Sequence, residues 1–264
     1  VISNSQCNES TEKILSEQKE VSKKADVVLR PAGKWTKNVH HVLNHLHRHG
    51  FTQAPQLVGS GFSSDGREAL TYMNGDMIHP SPWSDEGLFE LGKMIRSLHD
   101  IMKAFPPLEN SCWQDWFIHD IGKPVIISHC DISPWNVLTK NGKPCAFIDW
   151  EYTGPVDPLI ELSRSCWLFP YLVDDDLAIS QGLPSPQKRA EQVRLIVDGY
   201  GLAKKERSGL FEKIIEVVVH ETANEAIEGN VTSESVGPLW GFAWRSRSAS
   251  WILKNRAVLE NAIT

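Results

Sequence analysis

Two short segments, HCDISPWNVL from His129 to Leu138 and FIDWE from Phe147 to Glu151, carry Asp131, Asn136 and Asp149 in an order suited to phosphoryl transfer. That reaction spreads charge over the transferring group, so it is catalysed mainly by groups that hold Mg²⁺ and by one carboxylate beside the accepting hydroxyl. Asp131 is suited to orient or deprotonate that hydroxyl. Asn136 offers a neutral amide oxygen and Asp149 an anionic one able to bridge a metal to nucleotide phosphates, both hard donors of the kind Mg²⁺ prefers. Glu151 is placed to support a second metal position. Singly, each residue has a plainer explanation, such as a cap for an aspartate before a turn or a backbone partner for Asn136. The full order of His, Asp, Pro and Asn followed by hydrophobic-Asp-Trp-Glu does not arise from caps alone. It implies a kinase reaction on a small molecule, with ATP or GTP as donor.

The elements that must position these groups are legible in pattern. Pro124 to Ser128 and Pro144 to Ile148 read as short buried strands separated by an Asn141-Gly142 turn, which puts Asp131 and Asp149 at strand edges facing one cleft. Upstream, Val27 to Arg30 reads as a strand, and Trp35 to Gly50 as a helix capped by Thr36 with Val39, Val42, Leu43 and Leu46 on its buried face. Its other face carries His40, His41, His45, His47 and His49, read as solvated rather than as a metal site because no Cys or carboxylate completes a ligand set. Leu57 to Ser60 and Glu68 to Tyr72 pair across Ser64-Asp65-Gly66, and a helix capped by Ser84 runs to the Pro106-Pro107 stop. Asp157 to Phe169, Pro186 to Tyr200, Leu210 to Glu228 and Leu239 to Leu259 read as helices. In the last of these Trp240, Trp244 and Trp251 share one face and are read as a core stripe.

With these residues in view, the chain resembles the aminoglycoside phosphotransferase family. The catalytic H-x-D-x-x-P-x-N loop and the I-D-W-E strand end carry the resemblance. VVLRPAGKWTKNVHHVLNHLHRHGF (Val27 to Phe51), LGKMIRSLHD (Leu91 to Asp100) and GPVDPLIELS (Gly154 to Ser163) extend it. The resemblance implies an α+β, two-lobed protein-kinase-like fold, with a small antiparallel-sheet N-terminal lobe and a larger, mainly helical C-terminal lobe. It implies a division into residues 1–75, binding nucleotide, and residues 76–264, carrying catalysis and the acceptor. It makes Thr71, Tyr72 and Met73 the expected purine contacts. The activity implied is transfer of the γ-phosphate of ATP or GTP, with Mg²⁺, to a hydroxyl of an aminoglycoside, amino sugar or amino alcohol.

The chain also departs from that pattern. No glycine precedes Gly33, so the close backbone approach of a glycine-rich phosphate loop is not assignable, although Ser16 to Lys24 occupies its place. Arg30 stands where kinases carry a lysine paired to a helix glutamate, and the helix that follows contains no glutamate. Arg30 is accordingly a phosphate candidate, the alternative being a surface ion pair. These departures motivate a second reading, a non-catalytic nucleotide-binding or regulatory relative. For the acceptor, Glu221, Glu225 and Glu228 form a carboxylate stripe and Asp174 to Asp176 a second acidic group. Either could receive ammonium groups or be a solvated face.

Composition excludes other classes. The 27 Lys and Arg against 33 Asp and Glu give a net charge of −6, with no basic footprint for nucleic acid. Five cysteines (Cys7, Cys112, Cys130, Cys145 and Cys166) lack C-x-x-C spacing, so reduced thiols are expected, and Cys130 is read as a buried spacer. No apolar run approaches a membrane span and the first residues are polar rather than signal-like. The expectation is a cytoplasmic protein whose partners are nucleotide and a small-molecule acceptor, without nucleic acid or membrane.

Overall fold

The computed structural model describes residues 11–237 and 239–264; the polar start and Cys7 therefore lie partly or wholly outside the described residues. Residues 11–25 form strands β1 (Lys13–Ser16) and β2 (Val21–Lys24). With β3 (Val27–Arg30), β4 (Leu57–Phe62) and β5 (Glu68–Thr71) they make an antiparallel sheet in the order β1-β2-β3-β5-β4. Helix α1 (Thr36–Arg48) buries Val39, Val42, Leu43 and Leu46. Thr36 does not cap it: the helix starts from Trp35 without a side-chain bond, and the Thr36 hydroxyl instead accepts from the Gly33 N–H at 2.9 Å. His41, His47 and His49 are exposed as expected, but His40 and His45 are buried, because α1 packs on two sides rather than one. His40 bonds Glu68 of β5 at 2.9 Å, and His45 bonds the Ile101 carbonyl at 3.2 Å.

The chain then enters a helical part. Helix α2 (Asp85–Met102) is capped by Ser84, whose hydroxyl accepts from the Gly87 N–H. Strands β6 (Ile126–Ser128), β7 (Val137–Lys140), β8 (Lys143–Phe147) and β9 (Gly154–Val156) lead to helices α3 (Pro158–Leu168), α4 (Asp175–Ser180), α5 (Pro186–Tyr200), α6 (Leu210–Glu228), α7 (Trp240–Lys254) and α8 (Arg256–Ile263). The Asn141-Gly142 turn has both residues at positive φ, 53° and 74°, as a two-residue hairpin requires. It joins β7 to β8, however, and not the two segments expected: β6 pairs with β9. Strand β7 escaped notice because Val137 and Leu138 are only the tail of the catalytic motif by pattern. The tryptophan stripe on α7 also splits, with Trp251 buried, Trp244 half-buried and Trp240 51% exposed.

Helices α2 and α5 form the densest contact of this part, and two glycines permit it. A Cβ on Gly92 would sit 2.1 Å from the Ile196 carbonyl oxygen, and one on Gly199 2.0 Å from that of Phe89. Gly92→Ala should therefore destabilise the protein by about 1–3 kcal/mol, the usual penalty for overpacking. Thermal denaturation followed by circular dichroism checks this, and an unchanged midpoint would show that the helices separate freely.

Candidate active site

Both ends of the catalytic motif are built on residues in the left-handed region. Cys130 has φ 65° and Asp149 φ 63°, conformations that non-glycine residues adopt only when surrounding contacts hold them. At Cys130 the holding contact is Glu161 of α3, which accepts the Cys130 N–H and pairs with His99 at 2.6 Å. His99 also bonds the Tyr200 hydroxyl at 2.9 Å. Burial would raise the Glu161 carboxyl, but His99 holds it below the ordinary glutamate value. The Cys130 thiol is fully buried, and burial pushes its pKa well up; it is a spacer, not a nucleophile.

His129 stitches the two segments together. Its Nε2 lies 2.9 Å from the Ile148 carbonyl oxygen and its Nδ1 3.2 Å from the Asp131 N–H. Burial lowers its pKa, so the ring is neutral, donating from Nε2 and accepting at Nδ1. Asp131 is 6% exposed. Its Oδ2 accepts from Asn136 Nδ2 at 2.7 Å, and its Oδ1 from Arg164 Nη1 at 2.8 Å. Burial raises the Asp131 pKa to about 6, with Arg164 opposing the rise.

Arg164 is the functional residue that sequence reasoning missed. It is 2% exposed on α3, among Ile160, Leu162, Cys166 and Trp167, and its Nε donates to Glu221 at 2.7 Å. A lone arginine in a helix rich in Leu159, Ile160, Leu162, Cys166, Trp167 and Leu168 was the available signal, since a buried charge requires a partner. The same contact corrects the carboxylate stripe. Glu221 is buried and held by Arg164 and Arg245, Glu225 pairs with Arg245, and Glu228 is exposed. Helix packing turned the first of these inward, so the stripe does not face an open pocket. Asp174 to Asp176 likewise cap and open α4 and pair with Arg247.

The remaining expected residues converge. Arg30, Thr71, Tyr72, Met73, Asn136 and Asp149 line one cleft of 380 Å³ between the sheet and the catalytic loop. The N–H groups of Thr71 and Tyr72 are used by the carbonyls of Gln56 and Asp26 at 2.8 Å each. Among the described residues the Met73 N–H has no backbone acceptor. Gly75 lets the following turn pass β7, since a Cβ there would lie 2.8 Å from that of Leu138. Arg30 is only 12% exposed in its side chain, so it is not a surface pair. Its Nε donates to Glu68 at 2.9 Å and its Nη1 to Asp149 at 2.8 Å. The partner expected on the helix thus comes from β5, with His40 of α1 bonding the same glutamate. Glu151 lies in a short 3-10 turn after Asp149 and meets Arg30 at 3.3 Å.

Between β1 and β2 the place of a glycine loop is taken by a tight turn over Glu17 to Glu20, with Glu20 at φ 51°. Its Lys19 reaches Asp149 at 2.9 Å and Glu151 at 2.7 Å. Burial opposes the Lys19 charge, but Asp149 and Glu151 hold its pKa above the ordinary lysine value. Burial also opposes ionisation of Asp149, yet Arg30 and Lys19 keep its carboxyl below the usual aspartate value.

These donors fit a magnesium–nucleotide complex. The Asn136 amide nitrogen is committed to Asp131 at both its carboxylate and its carbonyl, so its amide oxygen would be the atom to meet a metal beside the ionised Asp149. Mg²⁺ takes one or two protein oxygens and fills its shell with phosphates and water.

The fold, a small antiparallel sheet over a helical part, is that of a phosphotransferase, and the chain belongs to the phosphotransferase enzyme family, whose model matches residues 110–191, a span that contains Asp131, Asn136 and Asp149. A curated relative, the trifolitoxin immunity protein of Rhizobium leguminosarum bv. trifolii, is 47% identical over 246 residues, 92% of this chain and 94% of that protein. Among solved structures, an amicoumacin kinase in complex with AMP-PNP and Ca²⁺ is similar in fold at a TM-score of 0.68 and 11% identity, over 92% of this chain and 88% of that one. A microcompartment-associated aminopropanol kinase is similar at 0.62 and 13%, over 97% and 94%. No described helix is long and apolar enough to cross a membrane.

Proposed function

We propose that this chain transfers the γ-phosphate of ATP or GTP to a hydroxyl of a small molecule. The observation that carries the reading is the convergence of Arg30, Met73, Asn136 and Asp149 in one cleft, with Asp131 hydrogen-bonded to Asn136. In the transfer, the acceptor oxygen forms its bond to Pγ as the bond from Pγ to the β–γ bridging oxygen breaks. The hydroxyl proton passes to Asp131, leaving a phosphate ester and a nucleoside diphosphate. Asn136 and Asp149 would hold Mg²⁺, which when bound neutralises phosphate charge. Arg30, steadied by Glu68, reaches toward the phosphates, and Met73 offers its N–H to the base. Residues 1–75 form the nucleotide lobe and residues 76–264 the catalytic and acceptor lobe of this reading, which belongs in the cytoplasm where the donor nucleotides are. By analogy with the name of its relative, chemical inactivation of a toxic compound is a suitable role. Amino sugars and amino alcohols enter as acceptors through fold likeness only, because the carboxylates Glu221 and Glu225, expected to receive them, are paired with arginines.

A second reading has one observation in its favour. Asp149 and Glu151 are already neutralised by Lys19 and Arg30, an arrangement that would suit a non-catalytic nucleotide-binding or regulatory relative. The thermal unfolding midpoint, measured with ATP and with GTP, each with and without Mg²⁺, tests the first. A nucleotide at one hundred times its Kd adds about 2.7 kcal/mol of stability, so the expected result is a Mg²⁺-dependent rise that names the donor. No shift at millimolar nucleotide would overturn the phosphotransferase reading.

A further inference from the structure

A second cavity, of 330 Å³, adjoins the catalytic loop and is walled by Trp135, Trp167, Trp240 and Trp244 with His79 and Tyr171. Trp135 also lines the nucleotide cleft and immediately precedes Asn136, so the two hollows meet at that loop. Trp167 is fully buried and lies three residues along α3 from Arg164, which holds Asp131. Its ring stacks on that of Trp244 with centroids 5.3 Å apart and planes at 24°. His79 shares a 3.0 Å hydrogen bond with the Tyr171 hydroxyl and meets Trp135 edge-on at 5.4 Å. A concave, largely apolar wall with few polar groups is the ordinary form of a small-molecule site.

Charge decides what such a site accepts. None of the residues lining the cavity is acidic. Of the carboxylates on neighbouring elements, Glu221 and Glu225 pair with Arg245 at 3.4 and 3.1 Å and Asp174 and Asp176 with Arg247, while the buried Oδ2 of Asp174 has no partner among the described residues. Those two arginines also attend the tryptophan rings, Arg245 at 4.6 Å from the Trp244 centroid and Arg247 at 6.0 Å from that of Trp240. The rings of Trp244 and Trp240, whose faces could attract a substrate cation, therefore already meet guanidinium groups, and the Trp167 ring stacks on Trp244 as well. An ammonium or quaternary ammonium entering the cavity would find no acidic residue in its lining and two positive charges beside its tryptophans. A planar apolar body, by contrast, can stack on Trp135 and Trp240, 37% and 51% exposed, in the offset or edge-on geometries that aromatic pairs prefer.

We propose that this cavity is the acceptor site, and that the acceptor is a hydroxyl-bearing molecule with a planar aromatic body and no positive charge. The proposal rests on the phosphotransferase reading and directs it away from amino-bearing acceptors. The experiment compares four probes on the full chain: benzyl alcohol, para-hydroxymethylbenzoate, para-aminomethylbenzyl alcohol and choline. Binding is read by ligand-observed NMR with Mg²⁺ and a non-hydrolysable ATP analogue, and transfer by phosphate-ester formation from ATP. The first two probes should bind and be phosphorylated with kcat/KM at least tenfold above the last two. Trp240→Ala, at a half-exposed position, should raise their KM at least tenfold while leaving the nucleotide-induced thermal shift unchanged. Cationic probes that bind as well as the first two, or aromatic binding indifferent to Trp240→Ala, would overturn the acceptor assignment even with transfer intact. Tryptophan-dependent aromatic binding without any transfer would instead support the site's preference and remove the phosphotransferase reading.

Discussion

Asp131→Asn should yield a folded protein that still takes up magnesium nucleotide and turns over about 10²–10⁴-fold more slowly, the range that a positioned general base supplies. The exchange keeps shape but removes the charge and, because one side of an amide is a donor, one of the hydrogen bonds that Asp131 accepts from Asn136 and Arg164. Folding should weaken, since the buried Arg164 loses a charged partner, yet persist, because Arg164 keeps Glu221 at 2.7 Å and burial has already made the charged form of Asp131 unfavourable: its pKa stands at about 6, against about 3.9 for an unperturbed aspartate. Between those two values the folded state holds a proton that the unfolded state has released. This group's contribution to stability therefore falls as pH rises from about 4 to 6, and the asparagine variant should lack that component. Turnover runs the other way. The base must be ionised, so kcat/KM of the parent should decline about tenfold per unit as pH drops below about 6. Steady-state rates across pH, with nucleotide binding followed by thermal shift, provide the check. A variant with parental turnover would take the catalytic role from Asp131.

Arg164→Ala should be among the most destabilising single changes in the chain. The guanidinium bridges Asp131 at 2.8 Å and Glu221 at 2.7 Å while 2% exposed. Removing one partner of a buried ion pair costs about 3–5 kcal/mol, because the charge left behind has no compensation. Here two carboxylates lose a partner, although Glu221 keeps Arg245 at 3.4 Å. Chemical denaturation measures the loss. A second readout separates positioning from bulk stability: Arg164 is the main group opposing the rise in the Asp131 pKa, so Arg164→Lys, which retains charge but not the two-armed geometry, should shift the acidic limb of the kcat/KM profile upward. An unmoved limb in a folded Lys variant would make Arg164 merely structural.

Several elements were legible because local rules decide them. The strand Val27–Arg30, the Ser84 cap and the helices Pro186–Tyr200 and Leu210–Glu228 stand where capping residues and apolar periodicity put them. The family motif was legible because the chemistry proposed for it, Mg²⁺ ligation beside one carboxylate, leaves little choice of donor type. What failed were inferences that needed a neighbour. Thr36 was read as a cap, yet its hydroxyl serves Gly33. His40 and His45 were assigned to water, and a sheet and a second helix covered them. The Asn141-Gly142 turn was recognised but joined to the wrong strand, since a turn signal gives a bend and not the pair of segments it connects.

The amino-acid sequence by itself therefore determined the family, the types and spacing of Asp131, Asn136 and Asp149 on which the proposed reaction rests, and most of the helices that surround them. Only the tertiary structure decided the charge state and access of those groups. Packing of α3 brought Arg164 to Asp131, packing of α6 consumed Glu221 as its counter-ion, and the β1–β2 turn delivered Lys19 across the cleft to Asp149. Type and spacing are local properties of the chain, whereas pairing between residues 33, 57 and 130 positions apart depends on which surfaces are buried against each other. In a medium of low dielectric that pairing sets whether a carboxylate is a base, a metal ligand or a structural anchor.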